Sequence, residues 1–239
     1  MKALASDMDG TLVFKGEIKD IDLKAIKKFQ KNGNLFGVCT GRALEMCTRD
    51  ISKFQCDFVI CSSGAQIIDH NLNTIYELTI QYADIEEIFN DYQKYTTEVI
   101  IQANNTGYMY NQSYYAMKAF YDIHEFKDAK IYGISLVFDG MEETMRVAED
   151  LKVRYPHLAG HVNGPSIDIV DASCSKGVAI KRLKEELGID IIGGIGDSYN
   201  DETMLEAADI SFSFPSSPES TRAKATHIVE NVAEALEIM

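Results

Sequence analysis

The chain has 239 residues, enough for one large domain or two small ones. It is 46% hydrophobic and 25% charged, the make-up of a soluble globular protein. Its net charge of -14 argues against nucleic acid, whose phosphates must be met by Lys and Arg. A small phosphorylated ligand stays compatible, because a site can be locally positive or carry a metal. No stretch is long and apolar enough to span a membrane. Asp7 falls where a signal peptide needs its apolar core, so secretion is not expected. The five cysteines, Cys39, Cys47, Cys56, Cys61 and Cys174, form no CxxC pair. Their odd count and irregular spacing fit a reducing cytosol, and a cytoplasmic location is expected. Cys39 and Cys61 lie in apolar runs and read as core; Cys174, near Lys176, is a candidate for exposure. The oligomeric state is open.

Strand and helix patterns alternate along the chain, which predicts a parallel sheet covered by helices. Ala3 to Ala5 reads as a buried strand. Leu23, Ala25, Ile26 and Phe29 form the apolar stripe of a helix that Gly33 ends. A strand over Leu35–Cys39, a helix over Arg42–Phe54 and a strand over Phe58–Cys61 follow. Gln66–Asp69 and Thr74–Leu78 predict a hairpin around His70-Asn71-Leu72-Asn73. Beyond Leu78 the order changes. A helix stripe (Ile85, Ile88, Phe89, Tyr92) precedes strands at Val99–Gln102 and Gly107–Tyr110, with Asn104-Asn105 as their turn. A helix from about Tyr114, a strand Ile131–Phe138, a helix Glu142–Tyr155 and a strand Leu158–Val162 complete this segment. It reads as an α+β lid inserted into the first unit, left through Thr79–Ala83 and re-entered at Asn163-Gly164-Pro165.

The first unit then resumes with a strand Ile167–Val170, a helix Lys176–Leu187 stopped by Gly188, and a strand Ile191–Ile195. A short helix Asp201–Ala207, strands Ile210–Phe214 and His227–Val229, and a helix Val232–Ile238 end the chain. The expected fold class is α/β, with residues 1–81 and 165–239 as the core and 82–164 as the insert. A second unit interrupting the first is the arrangement of a lid over an active site.

The most informative local feature is Asp7-Met8-Asp9-Gly10-Thr11, at the end of the first strand. Side chains at i and i+2 of an extended chain point the same way, so Asp7 and Asp9 are expected to face one pocket. The carboxyl edge of an open α/β sheet is where ligands bind. One carboxylate can attack an electrophile while its neighbour moves protons. Three more segments follow in order: Val38-Cys39-Thr40-Gly41-Arg42, Ser175-Lys176-Gly177, and Gly196-Asp197-Ser198-Tyr199-Asn200-Asp201 after an apolar run. Each alone has a bland reading. An acidic turn caps a helix, a lysine is solvated, and an Asp/Asn-rich stretch starts a helix.

Together, in the order carboxylate pair, hydroxyl, lysine, carboxylate pair, these segments resemble the haloacid dehalogenase-like superfamily, specifically its Cof-type phosphatases. The resemblance runs over nearly the whole chain. It implies a Rossmann-like core with a C2-type cap and hydrolysis of small phosphate monoesters, most often sugar phosphates. Asp7 is then the nucleophile that forms an aspartyl-phosphate, and Asp9 the acid and base. Asp7, Asp197 and the Asp9 carbonyl are the implied Mg²⁺ ligands, with Asn200 and Asp201 supporting them. Lys176 and Thr40, with the Gly41 amide, would hold phosphoryl oxygens. Arg42 and Asn200 are candidate substrate contacts, and for Arg42 a structural ion pair is an equal alternative. Four carboxylates in one cleft would repel a phosphate dianion. Like charges about 4 Å apart cost about 4 kcal/mol at an effective dielectric near 20, so a cation is required. Hard oxygen ligands beside a phosphate favour Mg²⁺.

Two departures from the Cof-type pattern stand out. Ser63-Gly64-Ala65 replaces the usual Asn-Gly-Ala, and Phe214-Pro215-Ser216-Ser217-Pro218 occupies the place of a Gly-Asn-Ala. Both are expected near the rim, where they bear on substrate preference. Tyr108, Tyr110, His161 and Asn163 sit at strand ends of the insert and are candidates to read the leaving group. The alternatives are a phosphohexomutase, which shares the first motif, and a non-catalytic phospholigand sensor.

Overall fold

The computed structural model describes residues 1–239. In chain order, β1 (Lys2–Ser6), α1 (Asp20–Lys31), β2 (Leu35–Cys39), α2 (Leu44–Ile51), β3 (Phe58–Cys61), β4 (Gln66–Asp69) and β5 (Thr74–Glu77) come first. There follow α3 (Tyr82–Tyr92), β6 (Glu98–Ala103), β7 (Thr106–Tyr110), β8 (Lys118–Phe120), β9 (Ile131–Val137), α4 (Met141–Arg154), β10 (Leu158–Asn163) and β11 (Ser166–Asp171). The last part is α5 (Lys176–Leu187), β12 (Ile191–Ile195), α6 (Glu202–Ala207), β13 (Ile210–Ser213), α7 (Glu219–Lys224), β14 (His227–Ile228) and α8 (Val232–Ile238).

Eight strands form one sheet in the order β14-β13-β12-β1-β2-β3-β4-β5. All are parallel from β14 to β3, and the β4–β5 hairpin closes one edge antiparallel. Helices cover both faces, so the central strands are apolar on both sides. Leu4, Phe36 and Val38 pack on one face with α1 and α8, and Ala3, Ala5 and Ile60 on the other with α5. The α/β architecture expected from the alternating pattern is the one observed.

The second sheet has six strands in the order β10-β11-β9-β6-β7-β8. Its strands alternate, as a sheet with one dry face requires. Val99, Ile101, Ile134, Leu136, Ile167 and Ile169 bury against Ile85, Ile88 and Phe89 of α3 and Val147 and Leu151 of α4. The residues between them, Ile100, Gln102, Ser135, Val137, Ser166 and Asp168, face the carboxyl edge of the first sheet across a cavity. Gln102 Nε2 donates to the Gly41 carbonyl at 2.8 Å, and Ser63 Oγ to Asp168 Oδ2 at 3.3 Å, tying the two sheets together.

Three expectations need correction. The strand at Ile167–Val170 belongs to the second sheet, paired antiparallel with β10 and β9. Asn163-Gly164-Pro165 is therefore the turn of the β10–β11 hairpin, and the expected boundary there falls inside it. The chain returns to the first sheet only through Ala172–Ser175, where Cys174 is buried against Tyr132 and Val170 rather than exposed. No helix starts at Tyr114. Tyr114 and Met117 form a bridge, Tyr115 has φ +55°, and β8 and a 3-10 turn at Ile123–Phe126 follow. Aromatic residues suit the edge strand better than a helix. Short α7, which starts directly after Pro218, was not expected. No helix is long and apolar enough to cross a membrane.

Candidate active site

The site is built at the carboxyl ends of β1, β2 and β12. The Asp7 amide still donates to the Ile195 carbonyl at 2.9 Å, so the parallel ladder fixes the start of the loop. The chain then turns back on itself, with the amides of Leu12 and Val13 both donating to the Met8 carbonyl. Gly10 makes the turn at φ +89°, and a Cβ there would lie 2.6 Å from Asp197 Oδ2. Only glycine serves both needs. Thr11 Oγ1 donates to Asp197 Oδ1 at 2.6 Å. Asp197 is thus held against the first motif although 190 positions separate Asp7 from it.

Lys176 is the first residue of α5, and the Ser175 side chain caps that helix. Its Nζ lies 2.6 Å from Asp7 Oδ1 and 2.5 Å from Asp201 Oδ1, with all three side chains buried. Asp201 Oδ2 accepts from the amides of Asp197 and Ser198, both at 3.0 Å. Both Asp201 oxygens are therefore committed within the protein. Oxygens of Asp7, Asp197 and Asp201 lie within 4.8 Å of one another. Burial and the Asp201 charge push the Asp7 carboxyl above the usual range, against the pull of Lys176. Burial likewise raises Asp197, and the Thr11 hydroxyl opposes it.

A cavity of about 260 Å³ opens above Asp7. Asp7, Asp9, Thr40, Gly41, Arg42, Asp197 and Asn200 line its floor, and the polar face of the second sheet forms its roof. Asp7 and Asp9 do face one pocket, but in different environments. Asp9 is exposed, and its carboxylate takes both Arg42 Nε, at 2.7 Å, and Arg42 Nη2. Arg42 Nη1 also reaches the buried Asp50 at 3.2 Å, so the ion-pair alternative describes Arg42 in this structure. The Asp9 carbonyl accepts no hydrogen bond from the protein. Thr40 Oγ1 accepts from the Arg42 amide at 3.3 Å. Asn200 Oδ1 is buried without a partner.

Lys176 does not line the cavity. Its ammonium donates to Asp7 and Asp201, so in this structure it fixes Asp7 Oδ1 from outside the cavity lining. Of the four residues expected to reach the site from the insert, only Asn163 does, and it accepts from Ser198 Oγ at 3.1 Å. Tyr108 packs edge-on to Phe126 and Tyr110 to Phe89, on the helix-covered face. His161 Nε2 pairs with the Cys174 carbonyl at 3.0 Å. Ser63 is buried against Asp168, and the Phe214–Pro218 loop does not line the cavity.

The roof supplies residues that sequence reasoning missed: Gln102, Ser135 and Asp168. Asp168 Oδ1 accepts from Ser135 Oγ at 2.6 Å, and burial raises its carboxyl against that bond. The signal was present, since each is a polar residue flanked by apolar ones in a strand, but it does not say where the polar face points.

The model of the haloacid dehalogenase-like hydrolases matches residues 4–235. The chain belongs to this family. The resemblance drawn from the four motifs and the expectation of a hydrolytic enzyme both stand. Among relatives, 5-amino-6-(5-phospho-D-ribitylamino)uracil phosphatase of Bacillus subtilis is 26% identical over 273 residues, covering 97% of this chain and 93% of its own. Among solved structures, a haloacid dehalogenase-like hydrolase from B. subtilis superposes with TM-score 0.88 at 20% identity, covering 99% of each chain. A subclass IIB sugar phosphatase superposes with TM-score 0.86 at 18% identity, covering 100% of this chain and 98% of that one.

Proposed function

We propose that this hydrolase cleaves small phosphate monoesters with the help of Mg²⁺, through an aspartyl-phosphate on Asp7. The observation that carries the reading is Asp7 itself: it lies on the cavity floor with Oδ1 fixed by Lys176, and Oδ2 makes no protein hydrogen bond. Asp7 Oδ2 attacks phosphorus, the bond from phosphorus to the leaving oxygen breaks, and Asp9 delivers a proton to that oxygen. Asp9 then takes a proton from a water that attacks phosphorus, which frees Asp7 and inorganic phosphate. For this the Asp9–Arg42 pair has to open, and Arg42 keeps Asp50 as its partner.

The donor set suits a divalent cation. The lining holds the carboxylates of Asp7, Asp9, Asp168 and Asp197 against one cation, Arg42, which is already paired. Asp7 and Asp197 with the Asp9 carbonyl would hold the metal, and Asp201, whose oxygens are committed, would orient the Asp197 loop. When bound, the ion offsets the carboxylate charge against a phosphate dianion and favours ionised Asp7. Thr40 and the Gly41 amide would meet the phosphoryl oxygens. The cavity volume suits a small metabolite, since pockets for larger ligands run from about 300 to 1,000 Å³. A cytoplasmic setting suits the five free cysteines.

The test is phosphate release from p-nitrophenyl phosphate and a panel of sugar phosphates, with Mg²⁺ and with excess chelator. Release that needs Mg²⁺ and falls by orders of magnitude in Asp7→Asn supports the reading. Isomerisation of hexose phosphates that outruns phosphate release would favour a mutase, and binding without turnover a sensor.

A further inference from the structure

The roof of the cavity is a surface of hydrogen-bond acceptors. Gln102 is 5% exposed, and its amide orientation is fixed because Nε2 donates to the Gly41 carbonyl at 2.8 Å. That leaves Gln102 Oε1 buried with no partner. Asp168 of the same lining also approaches Gly41, and its oxygens take the hydroxyls of Ser135 and Ser63 and face no cation at ion-pair distance. Its cross-strand partner His161 turns Nε2 to the Cys174 carbonyl instead. Arg42 is the only cation on the lining, and it is paired with Asp9 and Asp50 on the floor.

We propose that Asp168 and Gln102 select the leaving group: an alcohol that carries hydroxyl or amino donors and no second anion. This deepens the phosphatase reading and rests on it. With phosphorus over Asp7, the rest of the ester extends toward the roof. An orphaned buried acceptor costs free energy until a donor reaches it, so a hydroxyl or ammonium placed at Gln102 Oε1 is favoured. A carboxylate or a second phosphate at the same place would face Asp168 with no cation to offset it. Ile100 and Val137 on the same face leave room for the carbon chain of a polyol. Specificity here combines attraction for donors with repulsion of anions.

The experiment uses three ligands that share a six-carbon chain and a terminal phosphate: sorbitol 6-phosphate, glucosamine 6-phosphate and 6-phosphogluconate. Each is measured as a competitor of p-nitrophenyl phosphate hydrolysis, which reads affinity whether or not the ligand is turned over. Hydrolysis of the generic ester tests the phosphatase reading separately, and its absence would fail that reading alone. The expected result is inhibition by the polyol and amino-sugar esters about tenfold stronger than by 6-phosphogluconate. Asp168→Asn should shrink that ratio to within about threefold, chiefly by admitting 6-phosphogluconate. Equal inhibition by all three, no inhibition by any, or a preference for 6-phosphogluconate in the wild-type enzyme would overturn the proposal, whether or not the variant folds. An unchanged ratio in a folded Asp168→Asn enzyme would overturn the role of Asp168.

Discussion

The ammonium of Lys176 lies 2.6 Å from Asp7 Oδ1, both side chains buried, at the point where the first helix turn of α5 meets the end of β1. The same ammonium holds Asp201, so one cation serves two carboxylates, of which Asp201 is fully buried and Asp7 borders the cavity. Such an arrangement is costly to break, because what remains is an uncompensated charge.

Replacing Lys176 by Met should therefore lower stability by about 3–5 kcal/mol, the usual loss when one partner of a buried pair is removed. Urea denaturation measures it. The double variant Lys176→Met with Asp201→Asn should recover part of the loss, because one of the stranded charges is gone. A double variant at least as unstable as the sum of the two single ones would contradict this account of the pair.

Gly10→Ala should damage both stability and metal affinity. The position has φ +89°, and the new methyl would lie 2.6 Å from Asp197 Oδ2. The strain is on the order of 1–3 kcal/mol, and Asp197 must move away from Asp7 to relieve it. The check is the Mg²⁺ concentration for half-maximal activity, which should rise at least severalfold. An unaltered Mg²⁺ requirement would mean that Asp197 is not held by this contact.

Asp22 gives a pH prediction away from the site. It is buried on α1 and accepts from the Ala233 amide of α8 at 2.8 Å, and burial raises its carboxyl above the usual value. The folded protein then binds this proton more tightly than the unfolded chain. The contribution of the group to stability is present at low pH and is lost as pH rises through the raised value. Asp22→Asn removes that loss and keeps an acceptor for Ala233. Its melting temperature should gain on the wild type as pH climbs from acid toward neutral. Parallel curves for the two proteins would exclude the effect.

Tyr110→Phe should leave kcat/KM unchanged for every substrate and shift stability by less than about 0.5 kcal/mol. The ring packs on Phe89 and Phe120 on the face away from the cavity. A substrate-dependent change in kcat/KM would bring the hydroxyl into the site after all.

The floor of the site was legible because its residues follow strand ends, where a turn motif and an apolar run mark position in the chain. Asp7, Thr40 and Asp197 are read that way. The carboxylate partners of Lys176 were not, since nothing local says that its ammonium lies between Asp7 and Asp201. The roof was less legible for a different reason. The pattern Ser-Ile-Asp-Ile-Val-Asp over 166–171 shows a strand with a polar face, yet sheet membership is a long-range matter, and the strand joins β9 and β10 instead of the parallel sheet. Once its sheet is known, period two places Asp168 over the cavity, and the same rule turns Tyr108 and Tyr110 away from it.

The covalent role of Asp7 is tested most directly by acid-quenching the enzyme during p-nitrophenyl phosphate turnover with Mg²⁺ and mapping its peptides by mass. The peptide containing Asp7 should gain one phosphoryl group, Asp9→Asn should increase its accumulation, and Asp7→Asn should abolish it. Phosphoryl transfer to another residue, or full turnover by Asp7→Asn with no labelled peptide, would contradict that role.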